Sequence, residues 1–165
     1  MLDHNGFRLN VGIILVNAEG KLFWGERVRA GGWQFPQGGV DNYESLEETM
    51  YRELHEEVGL IPEDVSIVAV TKHWCYYRLP AYMQRNNKRK PCCVGQKQKW
   101  FLLKLVSGED HINLAATEKP EFCGWKWVNY WEPLNEVIYF KRGVYSKVLK
   151  ELEPYAKQLQ LKSGE

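Results

Sequence analysis

The segment from residue 38 to residue 60, GGVDNYESLEETMYRELHEEVGL, constrains the fold more than any other part of the sequence. Six glutamates fall within fourteen of its residues. Apolar residues recur at every fourth position: Leu46, Met50, Leu54 and Val58. This period predicts a helix from about residue 43 to residue 58 whose apolar stripe packs inward, ended by Gly59 as a C-terminal cap.

Three glutamates of this helix, Glu53, Glu56 and Glu57, are three or four residues apart and therefore project from one face. They lie beside the apolar stripe, at the rim of the packing surface. Like charges this close destabilise a helix and raise each other's pKa. A hard divalent cation, which prefers oxygen ligands, would offset the repulsion. The alternative is a solvated acidic face.

Patterns typical of strands lie on both sides of the helix. They cover residues 10–16, 21–28, 65–79, 95–106 and 124–131. A second helical period runs from Arg142 to about Gln160, with Pro154 as a predicted kink or break. The order of strands, helix, strands, helix predicts an α/β or α+β domain with a mixed sheet covered by helices. The 165 residues suffice for one domain.

Charge is segregated along the chain although the net charge is only +1. No acidic residue lies between Asp64 and Glu109, and this window includes the basic loop 85–90. An acidic strip and a basic stretch together suit a polyanion bound beside a metal, although ordinary surface charge is the alternative. The four cysteines form no zinc pattern. Without a signal peptide or an apolar run of transmembrane length, we expect a cytoplasmic protein.

The acidic segment matches the pattern G-x5-E-x7-R-E-U-x-E-E-x-G-U, in which U is a bulky aliphatic residue. The matching positions are Gly38, Glu44, Arg52, Glu53, Leu54, Glu56, Glu57, Gly59 and Leu60. This pattern resembles the Nudix box, the signature of the Nudix hydrolase family. The resemblance implies an α/β/α sandwich with a mixed central sheet and a long C-terminal helix. It also implies hydrolysis of a nucleoside diphosphate linked to another group, with Mg²⁺ or Mn²⁺.

The resemblance assigns roles within the box. The expected metal ligands and catalytic carboxylates are Glu53, Glu56 and Glu57. The carbonyl near Gly38 would join them, which explains a glycine there. Arg52 and Glu44 would form an orienting ion pair. Cations would neutralise the phosphoryl oxygens and activate water, and a carboxylate would accept the proton, with Glu57 favoured and Glu56 next.

Further stretches between residues 6 and 150 resemble the bacterial RNA pyrophosphohydrolases, a branch of this family whose relatives also cleave dinucleoside polyphosphates. They are GFRLNVGIILVN, WQFPQGGV, MYRELHEEVGL, GQKQKWFLLKLVSG, PEFCGWKWVNYW and FKRGVY. The resemblance implies a substrate with a 5′-triphosphate or diphosphate on RNA, trimmed to a monophosphate before decay. The loop at 82–93 and the tail beyond about residue 155 contribute little to it.

This second resemblance implies a substrate site outside the box. Glu121 matches an additional metal ligand, with a solvated loop acid as the alternative. Arg8 would meet the 5′ phosphates, because a planar guanidinium matches phosphate oxygens. Arg27 and Phe140 would sandwich a base. Weaker candidates for contacts to a base edge or a phosphate are Gln96, Lys99 and Lys141.

Three other functions are possible from the sequence. A dinucleoside polyphosphate hydrolase would use the same metal site with a second nucleoside pocket. A catalytically silent domain would bind nucleotide or RNA as a sensor, which loss of a box glutamate would have favoured. A structural module is disfavoured, because repelling carboxylates at a packing rim make poor scaffolding without a metal.

Overall fold

A computed structural model describes residues 2–84 and 93–163 of the chain. Its strands are β1 (Phe7–Val16), β2 (Leu22–Arg27), β3 (Trp33–Gln34), β4 (Gln37–Gly39), β5 (Val65–Val70), β6 (Cys75–Arg78), β7 (Gly95–Leu105) and β8 (Phe122–Val128). Its α-helices are α1 (Leu46–Val58), α2 (Glu132–Glu136) and α3 (Arg142–Ser163). The basic loop 85–90 lies outside the described residues.

The strands form one mixed sheet. Its main path runs β3-β2-β1-β7-β5, with β4, β6 and β8 paired to β1, β7 and β2. β1 and β7 are parallel along their length, and the other pairs are antiparallel. The predicted mixed sheet is therefore confirmed.

The sheet is covered on both faces because its central strands are apolar on both sides. Alternate residues of β1, such as Val11 and Ile13, pack with the apolar stripe of α1. Ile14 on the opposite face packs with Trp100 and with Tyr145 of α3. This arrangement of a helix, a sheet and a helix is the predicted α/β/α sandwich, with the long C-terminal helix in place.

Helix α1 begins at Leu46, three residues later than the sequence pattern predicted. Ser45 caps it: the Ser45 side chain accepts from the Glu48 backbone, and the Glu48 side chain accepts from the Ser45 backbone. Tyr43 has a φ of 69°, which is incompatible with a right-handed helix. The C-terminal prediction is confirmed, because Gly59 ends the helix with a φ of 78°.

The prediction of a single strand over residues 65–79 is wrong. The segment forms β5 and β6, separated by residues 71–74. Both strands pair with β7, β5 near its C-terminal end and β6 near its N-terminal end. In the interruption, Thr71 still bonds Trp100 of β7 through backbone and side chain.

The kink or break predicted at Pro154 does not end α3, which continues to Ser163. Leu152 and Ala156 flank the proline and are buried against the sheet. Pro154 itself is exposed to solvent. The carbonyl four residues earlier, which lacks a partner because proline has no N–H, can therefore be hydrated. Burial of the surrounding apolar residues outweighs the missing hydrogen bond. Among residues 2–84 and 93–163, no helix has both the length and the apolar character needed to cross a membrane.

Candidate active site

Four glutamates surround one cavity of about 370 Å³ at the edge of α1. Glu53, Glu56 and Glu57 come from the helix, and Glu121 comes from the residue immediately before β8. The remaining lining residues are Thr117 and Lys119. The structure therefore brings together all four predicted carboxylates, whose sequence positions span more than sixty residues.

Arg52 organises the loop that leads into α1. Its guanidinium makes a bidentate contact with Glu44, at 2.7 Å from Nε and 2.9 Å from Nη2. It also donates to the Gly39 carbonyl at 2.9 Å and to Glu53 Oε1 at 2.8 Å. The bidentate hydrogen bond to Arg52 lowers the pKa of Glu44 to about 2. The pair lies beside the cavity and does not line it, as an orienting ion pair should.

Burial makes two of the cavity glutamates reluctant to ionise. The pKa of Glu57 is raised well above its usual value, first by burial and then by the charges of Glu53 and Glu121. Burial likewise raises the pKa of Glu53 to about 7, against the opposing charge of Arg52. Glu56 is more exposed, with 43% of its side-chain surface accessible. The cavity therefore disfavours the ionised forms of Glu53 and Glu57, and a bound cation would offset this cost.

Gly38 lies directly against the Glu53 carboxylate. A Cβ atom at this position would collide with that carboxylate, so no other residue fits without displacing Glu53. Gly38 belongs to β4, which pairs with β1 at Val11. At this point the strand β4 contributes no side chain, and the Glu53 carboxylate of α1 fills the space.

The donor chemistry at this cavity fits a hard divalent cation, because four carboxylates line it. Within the described parts of the chain, however, no three acidic, histidine or cysteine side chains are already close enough to form a coordination sphere. Glu53 is turned toward Arg52, and Glu57 accepts from the Gln37 backbone at 3.2 Å. These separate partners stabilise the two carboxylates in positions apart from each other.

A second cavity, of about 470 Å³, lies next to the first. Its lining includes Arg27 and Phe140, the two residues predicted to sandwich a base. Arg27 Nε is 3.4 Å from Glu121 Oε1, so this ion pair stands at the boundary between the two cavities. Behind Phe140 lies the ring of Tyr77, with 5.9 Å between the ring centroids.

Lys141 is buried behind this second cavity. Its Nζ donates to Gln34 Oε1 at 2.7 Å and lies 5.6 Å from the centre of the Tyr77 ring. Burial, and then the charge of Arg27, lower the pKa of Lys141 to about 8. Gln34 lines the cavity, so Lys141 reaches the substrate region through this amide.

Arg8 and Gln96 are direct partners across the parallel pair β1 and β7. Gln96 is also opposite Tyr77 of β6, which places both side chains on the face that carries the second cavity. The Arg8 guanidinium lies against Gly39, beside the Nudix-box loop. Gln96 Oε1 is buried and has no hydrogen-bond partner among the described residues.

Lys99 is not brought to this region. It is paired with Val11, whose side chain faces α1, so it lies on the opposite face of the sheet from Gln96. Its ammonium donates to the carbonyls of Thr71 at 3.2 Å and Lys72 at 2.6 Å.

Three residues that the sequence reasoning did not select belong to the site. Lys119 lines the carboxylate cavity. Its position two residues before the predicted ligand Glu121 could have indicated that it lies near the site. Tyr77 and Gln37 are hydrogen-bonded to each other at 3.2 Å, between the two cavities. Their signal was weaker, because a tyrosine in a strand and a glutamine after a proline are ordinary structural residues.

The chain belongs to the Nudix family: the profile of the NUDIX domain matches residues 6–149. Nudix hydrolases generally use divalent metal ions. Two similar curated proteins are the RNA pyrophosphohydrolases of Pseudoalteromonas translucida and Shewanella piezotolerans. The first is 56% identical over 94% of this chain and 90% of its own, and the second is 56% identical over 99% and 94%.

Solved structures share the fold at much lower identity. The E. coli dihydroneopterin triphosphate pyrophosphohydrolase superposes with a TM-score of 0.68 at 15% identity, over 88% of this chain and 98% of its own. A C. elegans Ap4A hydrolase in a binary complex gives 0.63 at 18% identity, over 90% and 98%. At such identities the likeness establishes the fold alone.

Proposed function

We propose that the protein is a metal-dependent hydrolase that removes pyrophosphate or phosphate from the 5′-triphosphate or diphosphate end of RNA. The product is a 5′-monophosphorylated RNA, which is thereby committed to decay. The proposed cofactor is Mg²⁺, with Mn²⁺ as a substitute. The main support for this function is that a cavity lined by carboxylates lies next to a cavity lined by aromatic residues. The ion pair between Arg27 and Glu121 joins the two cavities. The similarity to RNA pyrophosphohydrolases over nearly the whole chain supports the same substrate.

In this proposal the carboxylate cavity holds the cation through Glu53, Glu56, Glu57 and Glu121, with the Gly38 carbonyl beside them. The bound cation would neutralise the phosphoryl oxygens and make water a better nucleophile. The chain itself supplies a proton acceptor, for which Glu57 is the leading candidate and Glu56 the next. Burial and the neighbouring carboxylates raise the pKa of Glu57, which makes it a stronger base than an ordinary carboxylate.

The remaining residues orient the RNA end. Arg8, whose guanidinium lies beside the Nudix-box loop, would meet the 5′ phosphates. Arg27 and Phe140 would hold a base by stacking, and Gln96 would contact the nucleotide. Lys141 acts at the back of the cleft through Gln34. Lys99 lies on the other face of the sheet and has no part in this proposal.

The test is a competition among substrates in Mg²⁺. Triphosphorylated RNA, diphosphorylated RNA and diadenosine polyphosphates are given to the wild type, to Glu53→Gln and to Glu47→Gln, and released phosphate and pyrophosphate are measured. Glu47 is an exposed glutamate on the same helix and outside the cavity, so its variant is the matched control. We expect RNA ends to be the preferred substrates, Glu53→Gln to lose orders of magnitude and Glu47→Gln to match the wild type.

Other outcomes would replace the proposal. A clear preference for the diadenosine polyphosphates would make the protein a dinucleoside polyphosphate hydrolase. Binding of RNA without turnover of any substrate would make it a sensor. Equal losses in Glu53→Gln and Glu47→Gln would show that charge on the helix matters and that the cavity does not.

A further inference from the structure

An exposed apolar patch adjoins the second cavity on the side away from the carboxylates. Tyr82 is 78% exposed and Tyr139 is 61% exposed, and Met83 and Ile138 beside them are 41% and 42% exposed. Tyr82, Met83 and Ile138 line the cavity that contains Arg27 and Phe140. Large apolar side chains that are exposed together at the mouth of a cavity mark a binding surface.

The two tyrosines are neighbours although they are far apart in sequence. Tyr82 lies in the turn Ala81–Met83 and Tyr139 in the turn Tyr139–Lys141, and Tyr82 lines the same cavity as Ile138, the residue before Tyr139. The ring of Tyr139 meets Phe140 edge to face, with 5.5 Å between centroids. The patch therefore continues the aromatic wall that starts with Tyr77 and Phe140.

The chemistry of these side chains suits a nucleobase. Tyrosine rings provide flat faces on which any base can stack, and such stacking needs no particular base identity. Neither tyrosine belongs to the hydrophobic core on either face of the sheet, so core packing does not account for these two side chains.

The position of the patch distinguishes between two kinds of base. In a dinucleoside polyphosphate the second nucleoside follows the phosphates, so it would lie beyond the carboxylate cavity. In RNA the next nucleotide follows the first base directly and continues away from the phosphates. The patch shares no lining residue with the carboxylate cavity, and it continues from Phe140 and not from the contact between Arg27 and Glu121 at the boundary, so its position favours RNA.

We propose that Tyr82 and Tyr139 form a stacking platform for the RNA nucleotide that follows the one held between Arg27 and Phe140. This inference rests on the proposed function and deepens it. The platform would make the activity of the enzyme depend on the length of the single-stranded 5′ end. An RNA too short to reach the platform loses the stacking contribution, while the chemistry at the carboxylates is unchanged.

The experiment measures kcat and KM on triphosphorylated RNAs lengthened from one to five nucleotides. The proteins are the wild type, the double variant Tyr82→Ala/Tyr139→Ala, the double variant Tyr82→Phe/Tyr139→Phe, and Tyr155→Ala. Tyr155 is a partly exposed tyrosine on α3, so its variant is the control for loss of an exposed ring. Thermal unfolding of every variant checks the fold. Anisotropy of 3′-labelled RNA without added metal gives a second readout that does not require turnover.

We expect that adding the nucleotide that reaches the platform lowers the wild-type KM by roughly 5- to 150-fold, the range of one stacked base. In the alanine double variant this decrease in KM disappears, kcat stays within about twofold of the wild type, and the KM of shorter RNAs is unaffected. The phenylalanine variant retains most of this decrease, because it keeps both rings, and Tyr155→Ala behaves as the wild type.

Two results would overturn the platform: the same length dependence in the wild type and the alanine variant, or a larger loss on diadenosine tetraphosphate than on RNA. Failure of the proposed function is a different result, in which the wild type turns over no RNA at all. The anisotropy measurement still separates the alanine variant from the wild type in that case.

Discussion

Replacement of Arg52 by lysine is the sharpest test of the structural basis of the site. The Arg52 guanidinium makes four contacts at 2.9 Å or less: two to Glu44, one to the Gly39 carbonyl and one to Glu53. An ammonium group has one nitrogen and cannot span these partners. We expect lysine to lose about two charge-assisted hydrogen bonds and, since Arg52 is partly solvated, about 2–3 kcal/mol of unfolding free energy.

The measurement is thermal and urea unfolding of Arg52→Lys without metal. For a chain of this size the expected loss corresponds to a melting temperature lower by about 4–12 °C. Arg29→Lys, at an exposed arginine, is the control and should change the melting temperature by no more than about 1–2 °C. A melting temperature of Arg52→Lys equal to that of the control would refute the reasoning.

The same ion pair has a pH signature. The pKa of Glu44 is lowered from 4.5 to about 2, chiefly by its hydrogen bond to Arg52. A carboxyl with a lowered folded-state pKa stabilises the protein above its unfolded pKa, and this contribution declines as pH falls toward the folded value. The difference in unfolding free energy between the wild type and Glu44→Gln should therefore be constant from pH 7 to about 5 and shrink below about 4.5. A difference that is the same at pH 6 and pH 3 would contradict this account.

Three further predictions concern the cavity and the C-terminal helix. Glu57→Gln should abolish turnover, yet raise the unfolding free energy in EDTA at pH 7, because burial opposes ionisation of this carboxyl; chemical denaturation with and without Mg²⁺ measures both effects. Gly38→Ala should reduce turnover while changing the unfolding free energy by no more than about 1 kcal/mol, because its methyl group displaces the Glu53 carboxylate, which is the far end of a flexible side chain; a variant as active as the wild type would exclude the close approach. Pro154→Ala should raise the melting temperature by restoring a helix hydrogen bond, with an expected gain of about 1–2 kcal/mol after the lost rigidity of proline is subtracted; unchanged or lower stability in thermal unfolding would contradict this.

Much of the site could be predicted from sequence because its central carboxylates share one helix. The helical period alone places Glu53, Glu56 and Glu57 on one face, and the box pattern adds the loop before them. The start of the helix was misplaced although the Ser45 and Glu48 capping box was a readable local signal. The left-handed conformation of Tyr43 carries no such signal, because tyrosine rarely adopts it.

The features that the sequence could not reveal depend on long-range pairing. The break between β5 and β6 contains no glycine or proline; the register against β7 shifts there, from Val70 opposite Phe101 to Cys75 opposite Gln98. Continuation of α3 through Pro154 depends on burial against the sheet, which overrides the local preference. The contact between Arg27 and Glu121 joins residues 94 positions apart, and that between Lys141 and Gln34 joins residues 107 apart. No periodicity within one segment predicts such contacts.

The contact between Arg27 and Glu121 also links the two cavities thermodynamically. It is a loose ion pair at 3.4 Å, with side chains 28% and 38% exposed, so opening it costs at most about 1 kcal/mol. In the proposed site, a cation bound by Glu121 would release Arg27, and a base engaged by Arg27 would release Glu121. Each event would then change the free energy of the other by the same amount, as linkage requires. Opening this one contact would lower the cost of binding for whichever of the two ligands, metal or RNA, came second.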